Sequence, residues 1–167
     1  MLRLYLIFLF ILLPYKSYAE TTLRMANWLP PTHPWVLNIM IPWIKNVYVA
    51  SEGRVKIILL EAPIGPPPAH YNFAVKGIAD ITYGVHNYTA GRFTSTQITE
   101  LPFLSNSSEI LSVAWQRIYM KELLSLDEHK GTHLLGVYTH GPGQLWLNKK
   151  YNSLEGIKGL KIRIGGG

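Results

Sequence analysis

Three short apolar runs, separated by segments patterned as helices, limit what this chain can fold into more than any other feature. They are residues 22–28 (TLRMANW), 54–60 (RVKIILL) and 78–85 (IADITYGV), each rich in β-prone side chains and bounded by proline or glycine. After Pro34, apolar residues at Val36, Ile39, Trp43, Val47 and Ala50 recur at helical spacing, with Lys45 and Asn46 on the other side. Pro42 inside that set predicts a bend or a restart, and Gly53 ends the helix. The proline-rich turn 65–68 leads into a second helix, 69–76, stopped by Gly77. Nearly all-apolar strands alternating with helices predict an α/β lobe. Its sheet is expected to be mainly parallel, covered by helices on both faces and joined by right-handed crossovers.

The stretch 75–104 follows a different logic. Beyond the third run come about fifteen residues without periodicity, dense in aromatic and hydrogen-bonding side chains (His86, Asn87, Tyr88, Arg92, Phe93, Gln97). Loops of that length inside a compact domain are usually functional. Asn106 and Glu109 then have capping-box spacing, and Leu111, Ala114, Trp115 and Ile118 follow at i, i+3, i+4 and i+7, which predicts a long helix ending near Lys130 and Gly131. Residues 132–139, 144–148 and 160–164 read as three further strands with no long helix between them, so the alternation breaks there.

The start of the chain indicates export. Arg3 precedes an unbroken apolar run over residues 4–13, and Ser17 and Ala19 place small residues at the spacing of a cleavage site, so residues 1–19 read as a signal peptide cut after Ala19. The apolar run is much shorter than the roughly 20 residues needed to span a bilayer. The mature chain is therefore expected to be soluble and exported, not an integral membrane protein. Cysteine is absent, which removes disulfides, thiol catalysis and thiolate metal sites together. The net charge of +6, part of it carried by Arg3 and Lys16 in the leader, is spread along the chain and does not form the basic stripe that nucleic acid requires.

Few residues carry chemistry of their own. Arg163 lies in a short apolar strand, and Ile162 and Ile164 would point to the opposite face. A lone guanidinium there is either a fork for a carboxylate or a charge on a solvated sheet edge. Trp28, Asn87, Tyr88 and Gln144 each end or follow a predicted strand, on the side where α/β sheets gather their ligands. Trp28 and Tyr88 could form an apolar wall, and Asn87 and Gln144 offer amides to ligand oxygens. Arg92 fits either a ligand contact or a brace for the loop. The six histidines show no metal-ligand spacing and read mostly as surface or turn residues, and no nucleophile elbow or paired carboxylate stands out. No metal, cofactor or catalytic residue is expected.

Four motifs in a fixed order carry a resemblance: Trp-x-x-Pro-x-His-Pro at 28–34, the GIAD strand followed by Tyr-x-x-Gly-Arg-Phe and Glu-Leu-Pro-Phe-Leu within 77–104, Thr-His-Gly-Pro-Gly-Gln at 139–144, and Gly-Leu-Lys-Ile-Arg at 159–163. In these the chain resembles the solute-binding subunits of tripartite ATP-independent periplasmic (TRAP) transporters, the DctP-like family. Thr94 stands where that family usually continues Gly-Arg-Phe with proline. The resemblance implies a periplasmic-binding-protein-like lobe over 20–131, with 132–167 as crossover strands and the beginning of a second, incomplete lobe. It also implies a receptor that closes by a hinge on a small carboxylate, such as a dicarboxylate or keto acid, and hands it to sodium-coupled membrane permease subunits without ATP. Arg163 would hold the ligand carboxylate. A sensory or scavenging protein with the same pocket, or less readily a secreted enzyme, are the alternatives. Family members run to about twice this length, so the chain reads as an N-terminal half with weakened affinity of its own.

Overall fold

The computed structural model describes residues 19–163. The leader expected over 1–19 lies almost entirely outside this range, as does Ile164 of the last predicted strand. Strand β1 (Thr21–Met25) pairs in parallel with β2 (Val55–Leu59), with Thr21 opposite Val55 and Met25 opposite Leu59. On the other side of β1, Met25 makes a parallel bridge to Ile81. The expected parallel sheet is thus present, with β1 in the middle. The predicted third strand contributes little more than that bridge. The Ala26 N–H donates to the Ile81 carbonyl at 2.9 Å, and Asp80 fixes the approach by accepting the Arg24 N–H at 2.7 Å and facing the Arg24 guanidinium at 3.3 Å.

Burial within the strands alternates: Leu23, Met25, Val55, Ile57 and Leu59 pack inward, while Arg24, Lys56 and Ile58 are exposed. Cover on both faces was the expectation; along these strands only one face is packed. Its cover is helix α1 (Ile41–Ala50), preceded by a π-helical turn over Val36–Met40. Pro42 occupies the first turn of α1, where its missing N–H costs nothing, and it marks the predicted restart. The wider π turn shifts the apolar stripe from its expected phase. Val36 and Met40 are buried and Trp43, Ile44 and Val47 pack beside them, whereas Ile39 and Ala50 face solvent. After the cap at Ser51 the chain leaves the helix through two left-handed residues, Glu52 at φ +54° and Gly53 at φ +78°, the second in a conformation that glycine tolerates best.

A short helix α2 (His70–Val75) leads to Gly77, and α3 (Ser108–Ile118) is capped one residue later than predicted. The Ser107 hydroxyl, in place of Asn106, accepts the Ile110 N–H. The helical path continues through a π turn at Tyr119–Leu123 and a 3-10 turn at Leu124–Leu126 and breaks at Asp127, φ +54°, before the expected end near Gly131. Its inward face is Trp115, Tyr119 and Leu123, which pack on Leu134 and Val137; Ala114 and Ile118, expected to be inside, are exposed.

None of 132–139, 144–148 or 160–163 forms a strand among the described residues. The reason is visible for the first. Side chains of α3 take the place of a neighbouring strand: Gln116 Oε1 accepts the Val137 N–H at 2.7 Å, and Ser112 Oγ accepts the Thr139 N–H at 2.9 Å and donates to the Thr139 carbonyl at 3.1 Å. Residues 141–150 are exposed throughout, with no packed face of the kind that fixes strand register.

Candidate functional site

Beyond the carboxyl end of β1 the chain enters Asn27 and Trp28. Asn27 is buried and its amide closes a local ring, accepting the Leu29 N–H and donating to the Leu29 carbonyl, both at 2.9 Å. Its Oδ1 also accepts the Tyr83 hydroxyl at 2.7 Å. That bond sets Tyr83 flat against Trp28, ring centroids 3.9 Å apart, while His70 meets Trp28 edge-on at 4.6 Å and Phe73 closes in behind His70. Burial raises the Tyr83 pKa well above its ordinary value and lowers that of His70, so both stay neutral. Trp28 and Tyr83 remain only partly buried. The result is an aromatic wall with a fixed phenol at the carboxyl end of the sheet, where open α/β folds bind ligands. Of these residues the sequence singled out only Trp28. Tyr83 was hidden in a strand, and Asn27 differs from other strand-end amides only in what it touches.

A second cluster anchors the loop after the third segment. Glu128 is buried and its carboxylate accepts the Ser95 N–H at 2.9 Å, the Ser95 hydroxyl, and the Thr94 hydroxyl at 3.2 Å. Burial pushes this carboxyl up, but the hydrogen bonds from Ser95, Thr94 and Tyr119 outweigh it, and the net pKa is below the usual range. His86 Nδ1 lies 2.6 Å from Thr96 Oγ1, His86 Nε2 lies 3.1 Å from His129 Nε2, and His129 Nδ1 lies 2.9 Å from the Tyr119 hydroxyl. Phe93, buried, stacks on His86 at 4.3 Å. Burial and, secondarily, the neighbouring His129 push His86 down to about 4; burial lowers His129, and burial with the Glu128 charge lifts Tyr119 to about 12. Of the six histidines, read mostly as surface or turn residues, His86 and His129 lie in turns but are half-buried and bonded to partners, and His70 is buried in a helix.

The remaining site residues are placed as follows. The Arg92 guanidinium sits over the Tyr71 ring, 4.7 Å from its centroid, and donates to the Tyr71 hydroxyl at 3.1 Å and the Glu128 carbonyl at 3.4 Å. These are contacts that brace the loop. An open hollow of about 740 Å³ beside it is lined by Asn72, residues 89–92, Thr94 and residues 126–128, and by none of Trp28, Asn87, Tyr88, Gln144 or Arg163. Asn87 and Tyr88 lie in a 3-10 turn, His86–Tyr88, with Asn87 exposed and Tyr88 half-buried. Gln144 and Arg163 are exposed in irregular segments, so the strand expected to orient Arg163 is absent over the described residues. No described acidic group pairs with the Arg163 guanidinium.

Comparison with known proteins bears on the fold and the family. The family model described as "Bacterial extracellular solute-binding protein, family 7" (DctP) matches residues 25–166. A TRAP periplasmic solute-binding protein from Bordetella bronchiseptica, solved with bound (R)- and (S)-mandelate, is 39% identical with a TM-score of 0.69; the match covers 74% of this chain and 39% of that one. A TRAP solute-binding protein from Rhodoferax ferrireducens, solved with copurified benzoate, is 31% identical with a TM-score of 0.67, covering 74% of this chain and 38% of that one. The "Outer membrane transporter protein TsaT" of Comamonas testosteroni is 28% identical over 152 residues, which is 90% of this chain and 45% of that protein. The chain thus spans less than half the length of the proteins it matches, at their N-terminal side. With the family match running over most of its length, the chain belongs to the bacterial extracellular solute-binding proteins of family 7, the solute-binding subunits of TRAP transporters.

Proposed function

We propose that this chain supplies the first lobe, and the entry to the second, of an extracytoplasmic receptor that captures a small aromatic carboxylate for a TRAP-type permease. The observation that carries the ligand class is the stacked pair of Trp28 and Tyr83 at the carboxyl end of the sheet. A planar ring offered to that wall gains offset stacking and apolar burial that a dicarboxylate cannot supply. Two structural neighbours bound to mandelate and benzoate support the same class, an aromatic part of the small organic acids that the resemblance implies and distinct from its dicarboxylates. In this reading Trp28, Asn87 and Tyr88 face the ligand from the first lobe. Gln144 and Arg163 meet it from the other side, where a guanidinium with no described acidic partner serves as the carboxylate fork. Hinge closure follows because the ligand gains contacts only when both sides reach it.

The test is a thermal scan of the full chain with mandelate, benzoate and succinate, with Trp28→Ala and Arg163→Ala alongside. At an acid concentration about a hundredfold above Kd, mass action is expected to raise the midpoint by roughly 5–10 °C for benzoate or mandelate. Both substitutions should abolish the shift. A shift from succinate alone would overturn the aromatic class, and a cooperative melt indifferent to every acid would show that these residues do not form a site by themselves.

A further inference from the structure

The hydrogen-bonded chain from Thr96 through His86, His129 and Tyr119 to Glu128 admits one ordering of protons when both imidazoles are neutral and the Tyr119 hydroxyl donates to an ionised Glu128. Tyr119 has a single proton, and with the Glu128 carboxylate as its acceptor it must receive from His129 Nδ1–H. His129 Nε2 is then a lone pair and must receive from His86 Nε2–H. His86 Nδ1 is in turn a lone pair and receives the Thr96 hydroxyl. Every donor has an acceptor. One extra proton, on His129 Nε2, is absorbed if His86 changes tautomer and donates through Nδ1 to Thr96. A second sets N–H against N–H across the 3.1 Å gap, and the bond between the rings cannot survive.

We propose that His86 and His129 form an acid-sensitive latch that fixes loop 86–96 to the turn after α3 and releases it when both rings are protonated. The parts of the molecule it joins are far apart in sequence, and beside the histidine pair the loop is tied to Glu128 by Arg92, Thr94 and Ser95. On the loop side are His86, Phe93 stacked on it, and Ser95 and Thr96; on the other are Tyr119, Glu128 and His129. The charges facing the pair act in opposite senses: Glu128 favours protons on both rings, whereas Arg92 disfavours one on His129 and each ring opposes charge on the other. Tyr119 is neutral throughout, and Tyr71 from α2 meets the cluster through Phe93 and the Arg92 guanidinium. Because the pKa values of both rings are held below the ordinary 6.5, the released loop takes up protons first as pH falls. The latch is complete above that value and weakens as pH drops towards about 4. Its consequence for capture rests on the reading of 86–96 as a ligand loop; the latch itself does not, and its test uses no ligand.

Hydrogen exchange of the full chain, corrected for intrinsic rates, is compared at pH 7, 5.5 and 4.5 in wild type and His129→Gln. The amides of Thr89 and Ser95, which donate to His86 O and Glu128 Oε1, are the reporters, and those of β1 the internal control. Wild-type loop protection is expected to fall about tenfold or more from pH 7 to 4.5 while β1 is unchanged. In His129→Gln it should no longer depend on pH in that range. A loop indifferent to acid, or one that opens equally in His129→Gln, overturns the latch; the second result would assign the response to Glu128. Should the variant not fold, nitrogen-resolved imidazole spectra of the wild type decide. Coupled titration with the last proton added near pH 4 supports the latch, and two independent titrations near 6.5 overturn it.

Discussion

His70 is fully enclosed, yet neither ring nitrogen completes a hydrogen bond. The Gly65 backbone favours its charged form too weakly to offset burial. Its ring is used as an aromatic surface among Trp28, Phe73 and Tyr83, so its polar atoms are a cost without a return. His70→Phe is therefore expected to raise stability by about 1 kcal/mol at neutral pH, measured by urea unfolding. The sign of the pH effect follows from the lowered pKa. The unfolded chain binds the proton first, so the His70 contribution is complete above its ordinary value of 6.5 and declines as pH falls through the folded value. His70→Phe should flatten part of the acid limb of the stability curve; an unchanged limb would show that the ring is solvated. Asn27 is the converse case, a buried amide with every role filled. Asn27→Ala should cost roughly 1–3 kcal/mol by leaving the Leu29 N–H and the Tyr83 hydroxyl without their acceptor.

Among the elements, the segment along α3 tests how a would-be strand is held. Gln116→Ala removes the acceptor of the Val137 N–H and is expected to cost about 1–3 kcal/mol and to release Val137 in hydrogen exchange, with β1 and β2 unaffected. Retained protection at Val137 would mean that packing, not the amide, holds the segment. This is also where the sequence stopped being informative. Local chemistry located β1, β2, the restart at Pro42 and the stops at Gly53 and Gly77, because proline, positive φ and period-two patterning act within a few residues. It did not separate a strand from an extended segment satisfied by helix side chains, since Gln116 and Ser112 lie a full element away from Val137 and Thr139. The phase of α1 was lost to a π turn that no single residue type announces. In the candidate site, Trp28 and Arg92 stood out by type, whereas Tyr83, Asn27, His70 and the pair His86 and His129 matter through contacts made across the fold.

For the whole molecule, the balance of packed and unpacked apolar surface is unusual. Phe103 is 100% exposed, Trp146 89% and Leu154 78%, in a chain that spans less than half the length of its relatives. Exposed apolar area of this kind favours association. The purified chain is expected to bind a hydrophobic dye in its folded state and to sediment faster as concentration rises; a dye-silent monomer at all concentrations would contradict the exposed surface. The sheet carries a kinetic consequence of its own. Its central strand, β1, is made first, and its partners at Val55 and Ile81 follow only after long intervening stretches have been synthesised. No ladder bond can form until those loops close, and each closure costs chain entropy before any contact returns it. Completion of this sheet therefore waits on residues well downstream, which leaves β1 unpaired while the later chain is still being made.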